Sequence, residues 1–402
     1  IGGYALRNNT TANNNVAVGY LALDVNTTGA QNVAVGAYAL DAASTASNNI
    51  AVGYRALSQN TTGNENVSIG TDSMLDNTTG AGNVAVGMES LANLTTASSN
   101  VGVGKQALNT TTTGASNTAV GFQALRLNAT THYNVAVGTG TLYNNVASNN
   151  TAVGFEALND NTTGASNVAV GAYALDANTT ASNNVAFGKS ALGANTTGAT
   201  NTALGGDTLA ANTTGGSLVA IGYNALAANT TASYNIAIGE NAMVANTTGT
   251  DNVAVGYGAL DANTTTSYNT AVGKNALGAT VAEGNTGVGR EALSTNSTGA
   301  DNTAVGKGAL QSNTTAANNV AVGKNALFQN TTGASNVAVG ALALDANTSA
   351  GSNIAVGTSA LSANTTGGNN TALGTGALLT NTTASSNTAV GKDALYYNTT
   401  GA

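Results

Sequence analysis

The residues of this chain with the chemistry to act on something are few, and they recur at fixed intervals. Asparagines that begin Asn-Thr-Thr triplets at one repeat position are Asn26, Asn60, Asn77, Asn161, Asn178, Asn195, Asn212, Asn229, Asn246, Asn263, Asn313, Asn330, Asn364, Asn381 and Asn398. Each triplet is formally an N-glycosylation acceptor, which would put it in a loop open to solvent. The competing account is local, because Asn and Thr also make turns by hydrogen-bonding their own backbone. Catalytic groups are harder to find. The lone His132 stands beside Tyr133 with no cysteine anywhere in the chain. Gly138-Thr139-Gly140 is a Gly-x-Gly with no strand-and-helix unit after it to bind a dinucleotide. The carboxylates do not form the regular aspartate columns of calcium-binding repeats. No catalytic residue, cofactor or metal is expected, and the reading is non-enzymatic. Tyr20, Tyr54, Tyr223 and Tyr257 share one repeat position and Tyr38 and Tyr173 the next, where they would either make contacts at a corner or cover apolar edges.

Composition narrows the classes further. The chain has no Cys, Pro or Trp, 7% charged residues and a formal net charge of -8. Disulfides and thiolate metal sites are excluded. An acidic balance without a basic run argues against nucleic acid and anionic membranes as partners. No apolar run approaches the roughly 20 residues of a membrane helix.

What positions these residues is one unit, repeated. With Asn167 as position 1, the sequence divides into 24 copies of a 17-residue repeat, two of them, opening at Asn134 and Asn269, one residue short. A short fixed period means an array in which each unit packs on its neighbours. Positions 2 to 4, Val168-Ala169-Val170 in the type copy, alternate β-branched and small residues and predict a strand. Position 5 is always Gly, as at Gly19, Gly171 and Gly391, and predicts a corner needing positive φ or a close backbone approach. Positions 8 and 9, Ala174-Leu175, predict a second short strand, since about six residues between turn formers are too few for a helix. The fold class is therefore all-β, a parallel β-solenoid or β-roll of 24 coils, continuous over residues 1–402. At about 4.8 Å per coil the array would be on the order of 115 Å long. It opens in mid-repeat at Ile1 and reads as a window on a longer protein.

The charged residues outline the coil. All ten Lys and Arg fall at positions 6, 7 or 10, and no charge occupies positions 1 to 5, 8 or 9. Since a buried charge is costly unless paired, the empty positions mark packed faces and the others mark corners. Val at 2 and 4 with Leu at 9 is the expected core, and the Asn at position 1 an amide ladder from coil to coil. Position 3 would then face outward, where its restriction to small residues, like that of position 8, suggests another chain close by. Ala17, Ala169 and Ala174 are the candidate interchain seam; a thin coil with position 3 facing inward is the alternative.

The core Asn-Val-Ala-Val-Gly-x-x-Ala-Leu resembles the head repeats of YadA-like trimeric autotransporter adhesins. The fuller unit from Asn387 to Gly401 is also similar to repeats of phage tail fibres and environmental surface proteins. The resemblance implies a left-handed roll, three chains around an axis, and an extracellular place on a cell surface, secreted filament or virion. Function is then expected to be that of an extracellular fibre or adhesin shaft whose polar Asn/Thr ridge serves attachment. Its partners would be itself, as a homotrimer or end-to-end filament, and a host or neighbouring cell-surface glycan or protein, with no nucleic acid and no membrane span in this stretch. A self-assembling single-stranded filament, glycosylated or not, is the alternative. An ice-binding solenoid is more remote, since the Thr pairs are expected in loops instead of on a flat strand.

Overall fold

The computed structural model describes residues 1–401, and among these the chain is an all-β parallel solenoid with a 17-residue repeat and no helix. Its coils form two compact units, Ile1–Thr200 and Asn201–Ala402. The first holds strands β1 (Val16–Val18) to β11 (Val185–Phe187), and the second holds β12 (Thr202–Leu204) to β23 (Thr388–Val390), all three residues long. Within each unit every strand lies parallel and in register with that of the following coil. In the first, Val168, Ala169 and Val170 of β10 (Val168–Val170) stand beside Val185, Ala186 and Phe187. In the second, Val253, Ala254 and Val255 of β15 (Val253–Val255) stand beside Thr270, Ala271 and Val272 of β16 (Thr270–Val272).

The expected second strand is absent. Positions 5 to 12 instead form two successive turns, closed by Ala174 N–H to the Gly171 carbonyl at 3.3 Å and Asn178 N–H to the Leu175 carbonyl at 3.1 Å. Positive φ at position 7 (Tyr173, 59°) and position 9 (Leu175, 52°) breaks strand geometry. The same alternation aims successive amides in opposite directions along the stack: Tyr173 N–H reaches the Phe155 carbonyl of the coil before, and Leu175 N–H the Ala191 carbonyl of the coil after. A left-handed conformation costs a leucine about 1–2 kcal/mol. Full burial of that side chain contributes roughly 2 kcal/mol, so together with the ladder bonds the turn is sustained. Nearly every position-9 residue, Leu23 and Met74 through Leu378, is wholly buried.

Glycine at position 5 has two causes. Gly171 sits at φ 135°, and a Cβ there would lie 2.4 Å from the carbonyl oxygen of Gly188. Gly19, at φ 139°, would meet Gly36 at the same distance. The glycines form a column whose backbones are in direct contact. For Gly391 a Cβ would meet nothing within 4 Å, and φ of 121° alone favours glycine.

Strand polarity is the reverse of the sequence expectation. Asn167 and Ala169 are buried, while Val168 and Val170 point outward and are half-exposed. The interior is too thin for a branched side chain at position 3. In one of the two coils where Gly replaces it, a Cβ on Gly102 would already meet Ser90 Oγ at 2.6 Å and Leu91 Cγ at 3.3 Å. One leucine per coil fills the space, and position 3 keeps only what lies under it. Polar variants of this layer are satisfied internally: Ser68 Oγ donates to the Ser73 carbonyl at 2.8 Å, and Thr208 Oγ1 to the Gly222 carbonyl at 2.7 Å.

Candidate functional site

Three surfaces follow from this coil, one internal and two external. The internal one is made of asparagines. Within a coil, the amides of positions 1 and 12 both donate to the carbonyl of position 15, as Asn49 and Asn60 do to Gly63 at 3.0 and 2.9 Å. Between coils, Asn66 N–H donates to Asn49 Oδ1 at 2.9 Å, and Asn77 Nδ2 to Asn60 Oδ1 at 3.0 Å. Two amide columns therefore run through the core, where the sequence suggested one. Position 13 adds a third polar row, Thr61 Oγ1 donating to the Thr78 carbonyl at 3.0 Å.

This arrangement corrects two assignments. Asn26, Asn60, Asn77, Asn161, Asn178, Asn195, Asn212, Asn229, Asn246, Asn263, Asn313, Asn330, Asn364 and Asn381 are all fully buried. A glycan cannot be carried on an amide nitrogen that is packed inside a coil, so these triplets are ladder rungs in the folded chain. Asn398, half-buried, donates only to the Gly401 carbonyl at 3.1 Å. Ala17, Ala169 and Ala174 are likewise buried, at 8%, 0% and 0% exposure, and face the interior of their own coil. They cannot form a seam between chains; the small-residue restriction comes from the coil's thinness.

The first external surface is the strand face. Positions 2 and 4 present Val, Ile, Thr, Leu and Phe side by side with no charged residue in either row, from Val16 and Val18 in the first unit to Ile354 and Val356 in the second. Phe187 at 44% and Leu204 at 48% show how open it is. Scattered apolar residues on a surface mean little, but contiguous ones larger than a few hundred Å² mark interaction sites.

The second is the corner of positions 6, 7 and 10. Tyr4, Tyr20, Tyr38 and Tyr54 form a column of edge-to-face rings with centroids 6.0, 5.6 and 6.0 Å apart. Arg7 pairs with Asp24 at 2.8 Å and Arg55 with Asp72 at 3.5 Å beside them. Gln123 donates to Gln106 at 2.8 Å, and Gln106 to Glu89 at 2.7 Å. Burial holds the carboxyls of Asp41, Asp176, Asp261 and Asp345, all at position 10, above their ordinary range against the lowering effect of nearby backbone amides. Two clefts open along this edge, about 270 Å³ around Tyr38 and Tyr54 and about 510 Å³ where Gly278 leaves a gap between Asp261 and Ser294. His132 takes a structural part, its Nδ1 accepting from the Ala115 N–H at 2.9 Å. Among the described residues no group of three His, Cys, Asp or Glu is placed to hold a metal ion, and no helix is long and apolar enough to cross a membrane.

No known family model and no curated protein matches this chain.

Proposed function

We propose that the chain is a non-enzymatic structural fibre segment, an extracellular shaft for attachment, whose copies associate side by side through the strand face. The observation that carries the reading is the pair of uncharged outward rows, Val, Ile or Thr at position 2 and apolar side chains throughout at position 4, repeated coil after coil in both units. Such rows contribute about 25 cal/mol per Å² when removed from water, and a repeated face multiplies a weak contact into a firm one. The buried Asn columns supply the stiffness of a shaft, and the extracellular setting and trimer are drawn from the resemblance to adhesin heads and tail fibres. Position 3 and 8 alanines have no part in the seam.

Mass per unit length by electron scattering tests the assembly. The 38.9 kDa chain has 24 coils, about 1.6 kDa each, so at about 4.8 Å per coil one strand weighs about 0.34 kDa per Å. About 1.0 kDa per Å supports three associated chains. The single-strand value favours the filament alternative and leaves the strand face unused. Val170→Lys, which adds charge to the row without touching the interior, is expected to abolish association while leaving circular dichroism unchanged; assembly at wild-type concentration would remove the strand face as the seam.

A further inference from the structure

We propose that the cleft at Tyr38, Asp41, Tyr54, Arg55, Ser58 and Gln59 is a carbohydrate subsite that seats one neutral pyranose ring of a glycan. The proposal deepens the attachment reading and rests on it for its biological sense. The tyrosine column sets up the site. Each ring packs its edge on the next, and the column ends at Tyr54, since the coil after it carries Thr71 and Asp72 at the same two positions. Tyr38 and Tyr54 stand at 90° to each other, and Tyr54 is 48% exposed. A half-exposed aromatic ring in the wall of the cleft is an apolar surface of the size of a sugar's C–H face, and covering it removes apolar surface from water.

The walls choose among ligands. Asp41 brings acceptors, and its Oδ1 lies out of solvent with no hydrogen-bond partner. Arg55 brings donors, and Ser58 and Gln59 bring both kinds. Adjacent sugar hydroxyls donate and accept at once, which matches such a mixed set. An anion would face Asp41, with Asp24 near it, and a cation would face Arg55. A wholly apolar ligand would leave the Asp41 carboxyl without a partner. Size agrees: a cleft of about 270 Å³ has the volume of about nine waters at about 30 Å³ each, enough for one ring and too little for an enclosed oligosaccharide. The site is open on its outer side, so a chain of sugars could continue along the corner.

Binding is tested with the full chain on an array of neutral and charged glycans, followed by saturation-transfer NMR with the methyl glycosides of the sugars bound. An open single-ring site is expected to bind at a Kd of about 1 mM. Tyr54→Ala should weaken binding at least tenfold; other coils carry Ala at this position, as at Ala37 and Ala172, so folding is not threatened. Gln59→Ala should weaken it several-fold, and Tyr223→Ala, at the same repeat position in the other unit, should leave it unchanged. Binding of neutral glycans that Tyr54→Ala does not diminish overturns this cleft as the site and leaves the attachment shaft standing. An array on which no neutral glycan binds, or on which only charged ones do, overturns the subsite, while the fibre reading is decided separately by mass per unit length.

Discussion

Replacing Ala43 by Asn should stabilise the first unit, because position 12 is where the inner amide column is broken. Asn26 donates to Asn9 at 2.9 Å and to Gly29 at 2.9 Å, but its own Oδ1 is buried without a partner, since the next coil offers the methyl of Ala43. On the other side Asn60 donates only to Gly63, and nothing accepts its second amide hydrogen. An Asn at 43 would give a proton to Asn26 and accept one from Asn60. The main chain needs no change, because Ala43 N–H already closes the same turn on Leu40 at 3.3 Å. Two hydrogen bonds at about 1 kcal/mol each, plus about 1–3 kcal/mol for satisfying a buried acceptor, less about 1 kcal/mol of side-chain entropy, leave about 2–4 kcal/mol. Global melting is a poor assay for a repeat array, whose coils open locally. Native-state hydrogen exchange over residues 40–62 is the direct one, and 2 kcal/mol corresponds to about a 30-fold slowing. Ala43→Leu separates the causes, since it fills the same space with no donor. Equal slowing by Leu and Asn, or none by Asn, would refute the ladder as the source of stability.

Gly171→Val should open its coil, since the branched side chain must occupy space 2.4 Å from a carbonyl in a conformation costing about 1–3 kcal/mol; exchange across 153–188 is the check, with a rise of at least tenfold expected. Expression in a glycosylating host followed by intact mass should show no N-glycan on the buried triplets of folded protein, and a ladder of masses spaced by whole N-glycans would contradict the amide columns. The raised carboxyls give a pH dependence of definite sign. Because Asp41, Asp176, Asp261 and Asp345 hold their protons more tightly folded than unfolded, their contribution favours the fold below the ordinary carboxylate pKa and is lost as pH rises through the raised value. Asp345→Asn should flatten part of that decline in exchange protection near residues 345–361, and an unchanged slope would count against burial as the cause.

The repeat, the strand and the glycine corner were legible because each leaves a periodic trace: Gly at position 5, β-branched residues at 2 and 4, Lys and Arg confined to 6, 7 and 10. Direction was not. Val-Ala-Val looks like an apolar pair around a spacer, and the usual inference buries the larger residues. Here the strand's parity is set by Asn at position 1, whose amide must reach the position-15 carbonyl inside the coil, as Asn167 does to Ala181 at 2.9 Å. Once Asn faces inward, Ala169 does too, and the valines are left outside. The left-handed turns had a trace that single copies conceal: positions 7 and 17 accept Gly, Asn, Asp and Ser often, as at Gly140, Asn275, Gly82 and Asn183, all with positive φ.

Position 15 holds the clearest signal of contact between coils. A Cβ on Gly29 would fall 2.1 Å from the Ala46 carbonyl oxygen, and one on Gly333 2.1 Å from that of Ala350. A side chain at this position is accordingly followed by Gly in the next copy, as in Ala46 then Gly63, Ala97 then Gly114, Ala232 then Gly249, and Ala316 then Gly333. The two departures are Thr131 before Ala147 and Thr266 before Ala282, and in both the second residue belongs to a copy that lacks position 14. Removing one loop residue changes the path into position 15, and that change is expected to make room for the second Cβ. The two short copies are thus an answer to a packing conflict in the column, and restoring a Thr between Val146 and Ala147 should destabilise that coil unless Ala147 is changed to Gly at the same time; equal exchange protection in the single and double variants would show that loop length and side-chain size at this position are independent.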